Sequence, residues 1–260
     1  MKIALCFSGE PRCWEYGYKN IQQFKNIHSD INIDVFIHAW DNITYKSDDY
    51  RNTPVSNIAP TICYDSFIKT YNPVLYKIEN KNALNHIITS KNLNHLEDYI
   101  KYTGFTNISQ LYSASAVHKL RMEYEKKSGV VYDVVLQLRT DLLLNPNNLY
   151  ISKNSFKCLT SNVVRFHKIL IKPTCIKLDH NVWGSSGETM NKIFSTWDIN
   201  QLCKVKKKKS NTASNIPDQY AYSKSEITIA EHISNCGCII SSPMLKSPVE
   251  FLGYNIKLKY

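Results

Sequence analysis

The sequence predicts an α/β protein, with a mostly parallel central sheet flanked by helices. Three observations lead there. The chain opens as strand, Gly/Pro turn, helix and second strand, the beginning of a βαβ unit. A long helical pattern at 108–127 then runs straight into another apolar strand. Finally, 260 residues with 43% hydrophobic and 21% charged side chains suit one large soluble domain.

The elements follow in order. KIALCF (2–7) is a short apolar run closed by SGEPR, and 13–27 reads as the helix after that turn. IDVFI (33–37) is the second strand and closes on His38, Ala39, Trp40 and Asp41. From Asp41 to about residue 60 the chain is polar and reads as a loop; VLYKIE (74–79) is the third strand. In 108–127, Leu111, Ala114, Val117, Leu120, Met122 and Tyr124 recur close to helical spacing, and Ser128-Gly129 closes the run. The stretch YDVVLQLRTDLLLNP reads as a buried strand carrying Arg139, Thr140 and Asp141 in its middle. Strand pieces and a loop are expected in 163–168 and 175–186, and helices at 188–195 and near 225–234. A Cys-Gly-Cys turn and a last strand, CIIS, complete the pattern. No linker divides the chain, so residues 1–260 are expected to form a single domain.

The formal net charge is +10. It admits nucleic acid, a nucleotide diphosphate, an anionic glycan or an anionic membrane face as partners. The dense run KVKKKK ends in Lys206, Lys207, Lys208 and Lys209 and continues into SNTASN. A solvated loop is the plain reading, and a phosphate or peripheral membrane contact the alternative. No helix-turn-helix or RNP-like motif accompanies the charge, so nucleic acid is not expected as a partner. The eight cysteines contain no CxxC pair, and the opening apolar run is too short for a secretory signal. Reduced, structural thiols and a cytoplasmic location are therefore expected. GxSxG, HExxH and EF-hand signatures are missing, as are GxGxxG and the P-loop pattern.

Four stretches carry groups suited to chemistry. In SGEPR, a glycine turn at a strand end lets backbone amides approach a phosphate, and Arg12 can add a charge-assisted contact. In HAWD, Trp40 could stack on a base or sugar and Asp41 could hold a hydroxyl; rim packing is the structural alternative. Arg139 and Asp141, two apart on a strand, would share a face. They form either an internal ion pair or the edge of a ligand cleft where an acid can bind a divalent cation. In LDHNVWGSS, Asp179 either caps a turn or serves as a general base toward a hydroxyl.

Taken together, IALCFSGEPRCW, DVFIHAW and QLYSASAVHKLRMEYEKKSGVVYDVVLQLRTDLLL resemble polysaccharide and lipopolysaccharide glycosyltransferases of bacteria and large DNA viruses. IPDQYAYSKSEITIAEHI stands where that family has an acidic helix, with Glu226 as the matching acid; 41–106 is unmatched and reads as a variable insert. The resemblance implies a GT-A-like fold, one Rossmann-like domain that takes a nucleoside-diphosphate sugar and passes the sugar to a glycan hydroxyl. Ser8, Gly9, Arg12, Arg139 and Asp141 would then bind the donor. Asp179 would act as base, and Trp183, Gly184 and Ser185 would shape the acceptor side. The family's DxD triplet is Arg139-Thr140-Asp141 here, so an arginine replaces the first acid. Asp141 remains as the candidate ligand for Mn²⁺ or Mg²⁺, and the need for a metal turns on Arg139. A non-catalytic nucleotide-sugar or glycan-binding protein is the first alternative, and a basic nucleic-acid-binding protein the second.

Overall fold

The computed structural model describes residues 1–11, 14–27, 29–41, 63–80, 82, 84, 86, 88, 105–139, 163–166, 169–172, 175–178, 182–198, 229 and 232–241. Among them the strands are β1 (Lys2–Gly9), β2 (Asn32–Trp40), β3 (Leu75–Glu79), β4 (Val134–Leu138), β5 (Val163–Phe166), β6 (Ile169–Lys172), β7 (Cys175–Leu178), β8 (Val182–Ser186) and β9 (Ile239–Ser241). The helices are α1 (Trp14–Ile27), α2 (Tyr64–Tyr71), α3 (Phe105–Ser128) and α4 (Gly187–Ser195).

Seven strands join in one sheet, in the order β3-β2-β1-β4-β8-β5-β9, while β6 and β7 form a separate antiparallel pair. β1 pairs in parallel with β2 and β4, and β2 with β3. Strand β8 runs against both β4 and β5, and β9 runs parallel to β5. Of the seven strands, then, β8 alone opposes the common direction. The expected mostly parallel α/β sheet is present.

Each parallel step needs a crossover, and helices supply it. From β1 through α1 to β2, and through α2 to β3, the chain moves in one direction along the sheet. From β3 through α3 it returns past β1 to β4. Crossovers of constant hand put helices on opposite faces when the direction of travel reverses. Accordingly, Ile21 of α1 and Phe67 and Tyr71 of α2 pack with Leu5, Phe7, Ile37 and Leu136 on one face. Ile108, Leu111 and Val117 of α3, with Met190, Ile193 and Phe194 of α4, pack against Cys6, Phe36, Trp40 and Val135 on the other.

Several local features explain the element ends. Ser186 caps α4, its hydroxyl accepting from the Thr189 N–H. Gly129, at φ +70°, ends α3 where the sequence predicted. Three elements depart from expectation. The short helix α2 and the strand β6 were not foreseen, and β4 stops at Leu138 rather than running through Leu144. The polar loop expected after Asp41, the lysine run at 204–209 and Glu226 lie outside the described residues. No helix among the described residues is long and apolar enough to cross a membrane. Cys6, Cys63, Cys236 and Cys238 are free thiols, and burial pushes Cys6 up to about 12, which keeps it a protonated packing group.

Candidate functional site

Strand order reverses between β1 and β4, whose connections leave in opposite directions. In open α/β sheets such a switch point leaves a crevice outside the carboxyl ends of the strands, where ligands bind. The residues at those ends here are Ser8 and Gly9 on β1, His38 and Trp40 on β2, Glu79 on β3, and Leu138 followed by Arg139 on β4.

Gly9 has φ +115°, and among the described residues a Cβ built there would meet nothing within 4 Å. The glycine is required by backbone conformation and not by crowding. At that φ the chain turns out of the sheet at the β1 end. Ser8 is 8% exposed, and its Oγ accepts a 2.7 Å hydrogen bond from Gln137 Nε2. On the neighbouring strand Leu138 pairs with Phe7, so Arg139 follows β4 as Ser8 follows Phe7. Leu138 is buried and Arg139 half-buried. The placement answers the puzzle of a charge within a buried strand: the strand ends one residue earlier, and Arg139 stands half-buried just beyond it.

Arg12, Asp141 and Asp179 lie outside the described residues. Ser8, Gly9 and Arg139 are brought together at one sheet edge. Trp183, Gly184 and Ser185, expected on the acceptor side, are placed in the interior by β8. Trp183 is 1% and Ser185 0% exposed, and Trp183 stacks with Phe194 (5.7 Å) and Trp197 (6.4 Å). A Cβ at Gly184 would collide with the Val135 carbonyl, so that glycine serves the close approach of β8 to β4. The Trp183 and Ser185 side chains lie in the core, and all three residues are buried away from any acceptor.

Trp40 is also interior. At 1% exposure it stacks on Tyr112 (5.6 Å, 28°) and meets His38 edge-on at 5.0 Å, so it packs under the rim. Asp41 is exposed and accepts from Asn80 Nδ2 at 2.8 Å.

Beside it is a cluster that sequence reasoning missed. His38 Nδ1 lies 2.7 Å from Ser113 Oγ, and Nε2 lies 2.8 Å from Glu79 Oε2. Burial lowers the His38 pKa more than the Glu79 hydrogen bond raises it. The neutral ring thus donates from Nε2 to Glu79 and accepts the Ser113 hydroxyl at Nδ1. The His38 bond, with help from Lys77 at 2.6 Å, holds the Glu79 carboxyl down at about 2. Tyr112 donates to the same carboxylate at 3.1 Å. The residue types match a nucleophile-base-acid triad, but Ser113 is 0% and His38 1% exposed. No substrate can reach that hydroxyl, and the cluster braces the ends of β2 and β3 against α3.

A second buried chain leads to Ser8. Gln137 Oε1 accepts from His118 Nε2 at 3.0 Å, and Arg121 Nε donates to His118 Nδ1 at 3.4 Å. Arg121 Nη1 is paired with Glu125 at 2.7 Å. His118 and Arg121 are both 0% exposed, and the imidazole lies flat on Phe194, 3.6 Å between centroids. Burial, reinforced by the Arg121 charge, holds His118 well below the ordinary histidine range, so it is neutral. Its neutral state fits the geometry, with one ring nitrogen donating and the other accepting.

Among the described residues no three His, Cys, Asp or Glu side chains converge to hold a metal ion. Among the described residues at these strand ends, Arg139 after β4 is a cation suited to an anion, and Glu79 at the β3 end is a carboxylate paired with Lys77. No family model matches the chain, and no curated protein matches it significantly in sequence.

Proposed function

We propose that this chain is a glycosyltransferase of GT-A-like fold, moving a sugar from a nucleoside-diphosphate donor to a hydroxyl of a glycan acceptor. One observation carries the reading. Ser8, Gly9 and Arg139, which the motif resemblance assigns to the donor, fall together at the carboxyl ends of β1 and β4, where the strand order reverses. The doubly wound arrangement of β1 to β4 supports the fold assignment.

In this reading the diphosphate sits over the β1 end, where Gly9 admits close backbone approach and the Ser8 hydroxyl faces it. Arg139 neutralises the charge that grows on the departing diphosphate as its bond to the sugar breaks, an effect that is largest in the transition state. Asp179 takes the proton of the acceptor hydroxyl as that oxygen bonds to the anomeric carbon. The electron pair of the broken bond leaves with the diphosphate. A single displacement of this kind inverts the anomeric centre.

A divalent cation would supply further charge neutralisation, with Asp141 as its candidate ligand. The described residues provide no donor set for it, and no step above depends on one. Adding EDTA separates the cases: activity abolished by chelator and restored by Mn²⁺ assigns the metal, and full activity in chelator assigns the whole task to Arg139.

A thermal-shift screen against UDP-, GDP-, CMP- and dTDP-sugars, with and without Mn²⁺, tests the reading. A ligand at 100 times its dissociation constant adds about 2.7 kcal/mol of stability. A shift with a UDP-, GDP- or dTDP-sugar, followed by transfer to a glycan acceptor, supports it, and a shift with a CMP-sugar alone, which carries a single phosphate, contradicts the diphosphate donor. Binding without transfer across an acceptor panel would make the chain a binding protein, and no shift with any donor would refute the proposal.

A further inference from the structure

We propose that Gln137 is a positioning residue that fixes Ser8 as an outward hydrogen-bond donor, and so commits the crevice to an anionic oxygen. The inference deepens the donor-site reading and rests on it for the identity of the anion as a diphosphate.

Gln137 lies within β4 between buried Leu136 and Leu138, and His118 and Arg121 lie within the packed face of α3. Burying these groups is unfavourable unless each is paired, and apolar side chains of similar size would fill the same space without that requirement. The pairing is directional along its whole length. Glu125 accepts from Arg121, Arg121 donates to His118 Nδ1, and His118 Nε2 donates to Gln137 Oε1. With its oxygen taken, Gln137 turns its amide nitrogen to Ser8 Oγ. The Gln137 amide therefore cannot flip, because the reverse orientation would set its NH₂ against the His118 N–H.

The consequence falls on Ser8. Its oxygen already accepts from Gln137, and among the described residues its own hydrogen has no acceptor. Of the chain Ser8, Gln137, His118 and Arg121, Ser8 has the greatest exposure, and it stands at the crevice. A hydroxyl held in this way donates outward, and a phosphate oxygen is the strongest acceptor such a site can meet. The relay thus transmits the polarity of a buried ion pair to a single O–H at the strand end. Arg139, which follows the neighbouring strand β4, brings a positive charge to the same rim.

Titration calorimetry with UDP, GDP and inorganic pyrophosphate tests the assignment on the full chain. Ser8→Ala should weaken binding roughly tenfold or more, the scale of one hydrogen bond to a charged group. Gln137→Leu should weaken it to a similar extent, and the double variant should bind no worse than Ser8→Ala alone, since Gln137 acts through Ser8. Ser8→Thr, which keeps the hydroxyl, should bind like the wild type. A Gln137→Leu protein with wild-type affinity, losses that simply add, or a wild type that binds none of the three anions would overturn the proposal. If Gln137→Leu does not fold, Gln137→Glu carries the test with the same shape. Its carboxylate accepts from both His118 and Ser8, turning the Ser8 hydrogen inward. Affinity should fall, and the fall should shrink in the Ser8→Ala background; an equal fall in both backgrounds would refute the relay. Pyrophosphate binding without nucleotide binding would uphold the relay while removing the nucleotide-sugar reading.

Discussion

The two faces of the same three strands differ in kind. Toward α1 and α2, strands β1, β2 and β4 present Leu5, Phe7, Ile37, Ala39, Leu136 and Leu138, all apolar to the carboxyl ends. Toward α3 they carry apolar Ala4, Cys6, Phe36 and Val135 at mid-strand and polar Ser8, His38 and Gln137 near the carboxyl ends, with Trp40 following His38. Side chains alternate between faces, so the two patterns interleave along one chain. One face spends its area on apolar burial alone, and the other gives up part of that gain to hold polar groups in fixed directions beside the crevice. On the proposed reading, the contrast separates stability from function within a single sheet.

Substitutions can break this contrast. The largest effect is expected at Arg121. Arg121→Ala leaves Glu125 poorly solvated and unpaired, and removing one partner of a buried pair costs about 3–5 kcal/mol. Replacing both, Arg121→Met with Glu125→Leu, should recover most of that loss in urea unfolding. If the double variant is as unstable as the single one, the ion pair is not what the polar face depends on. On the opposite face Leu136→Ala should cost about 2–5 kcal/mol by leaving a cavity. Its nucleotide affinity should stay at the wild-type level, measured where both proteins are folded. Equal loss of affinity at Leu136 and Gln137 would erase the distinction between the faces.

Smaller effects sharpen it. Gly9→Ala places a side chain at φ +115° and should cost about 1–3 kcal/mol from backbone strain, since no neighbour among the described residues blocks the Cβ. The mildest perturbation is pH. Burial lowers the pKa of both His38 and His118 below 6.5, so the unfolded chain binds more protons than the folded one as pH falls. Their contribution is complete above 6.5 and is lost progressively below it. Glu79, held at about 2 against an ordinary 4.5, adds a further loss on acidification between those values. Urea midpoints should therefore fall from pH 7 to pH 5, and His118→Gln should flatten the slope. A slope unchanged by that substitution would mean that His118 is not held neutral by its surroundings.

Much of the apolar framework was legible in the sequence. The runs KIALCF, IDVFI and VVLQL are β1, β2 and β4, and the helix expected at 108–127 is α3 with three further residues at its start. The short helix α2 was not, because eight residues give barely two turns of periodicity and Cys63 before them offers no capping bond. Of the site, the glycine turn after β1 and the arginine at the β4 end could be read directly. The relay could not be read from apolar periodicity, which selects Leu120, Met122 and Tyr124 although these are only half-buried. The signal was a different stripe. Leu111, Ala114, His118, Arg121 and Glu125 follow the 3- and 4-residue spacing of a buried helix face, with polar residues in its second half. Polar side chains at core spacing mark a buried network, provided that the opposing strand supplies partners. Gln137 was that partner, and nothing local in VVLQL announces it.

Hydrogen exchange on the full chain, with and without a saturating nucleoside-diphosphate sugar, tests the central claim most directly. Binding at the carboxyl ends of β1 and β4 predicts slowed exchange at residues 8–10 and 139. The apolar face should change little, and Ser8→Ala should diminish the protection. Protection confined to the lysine run at 204–209, or absent from the strand ends while the ligand is bound, would contradict it.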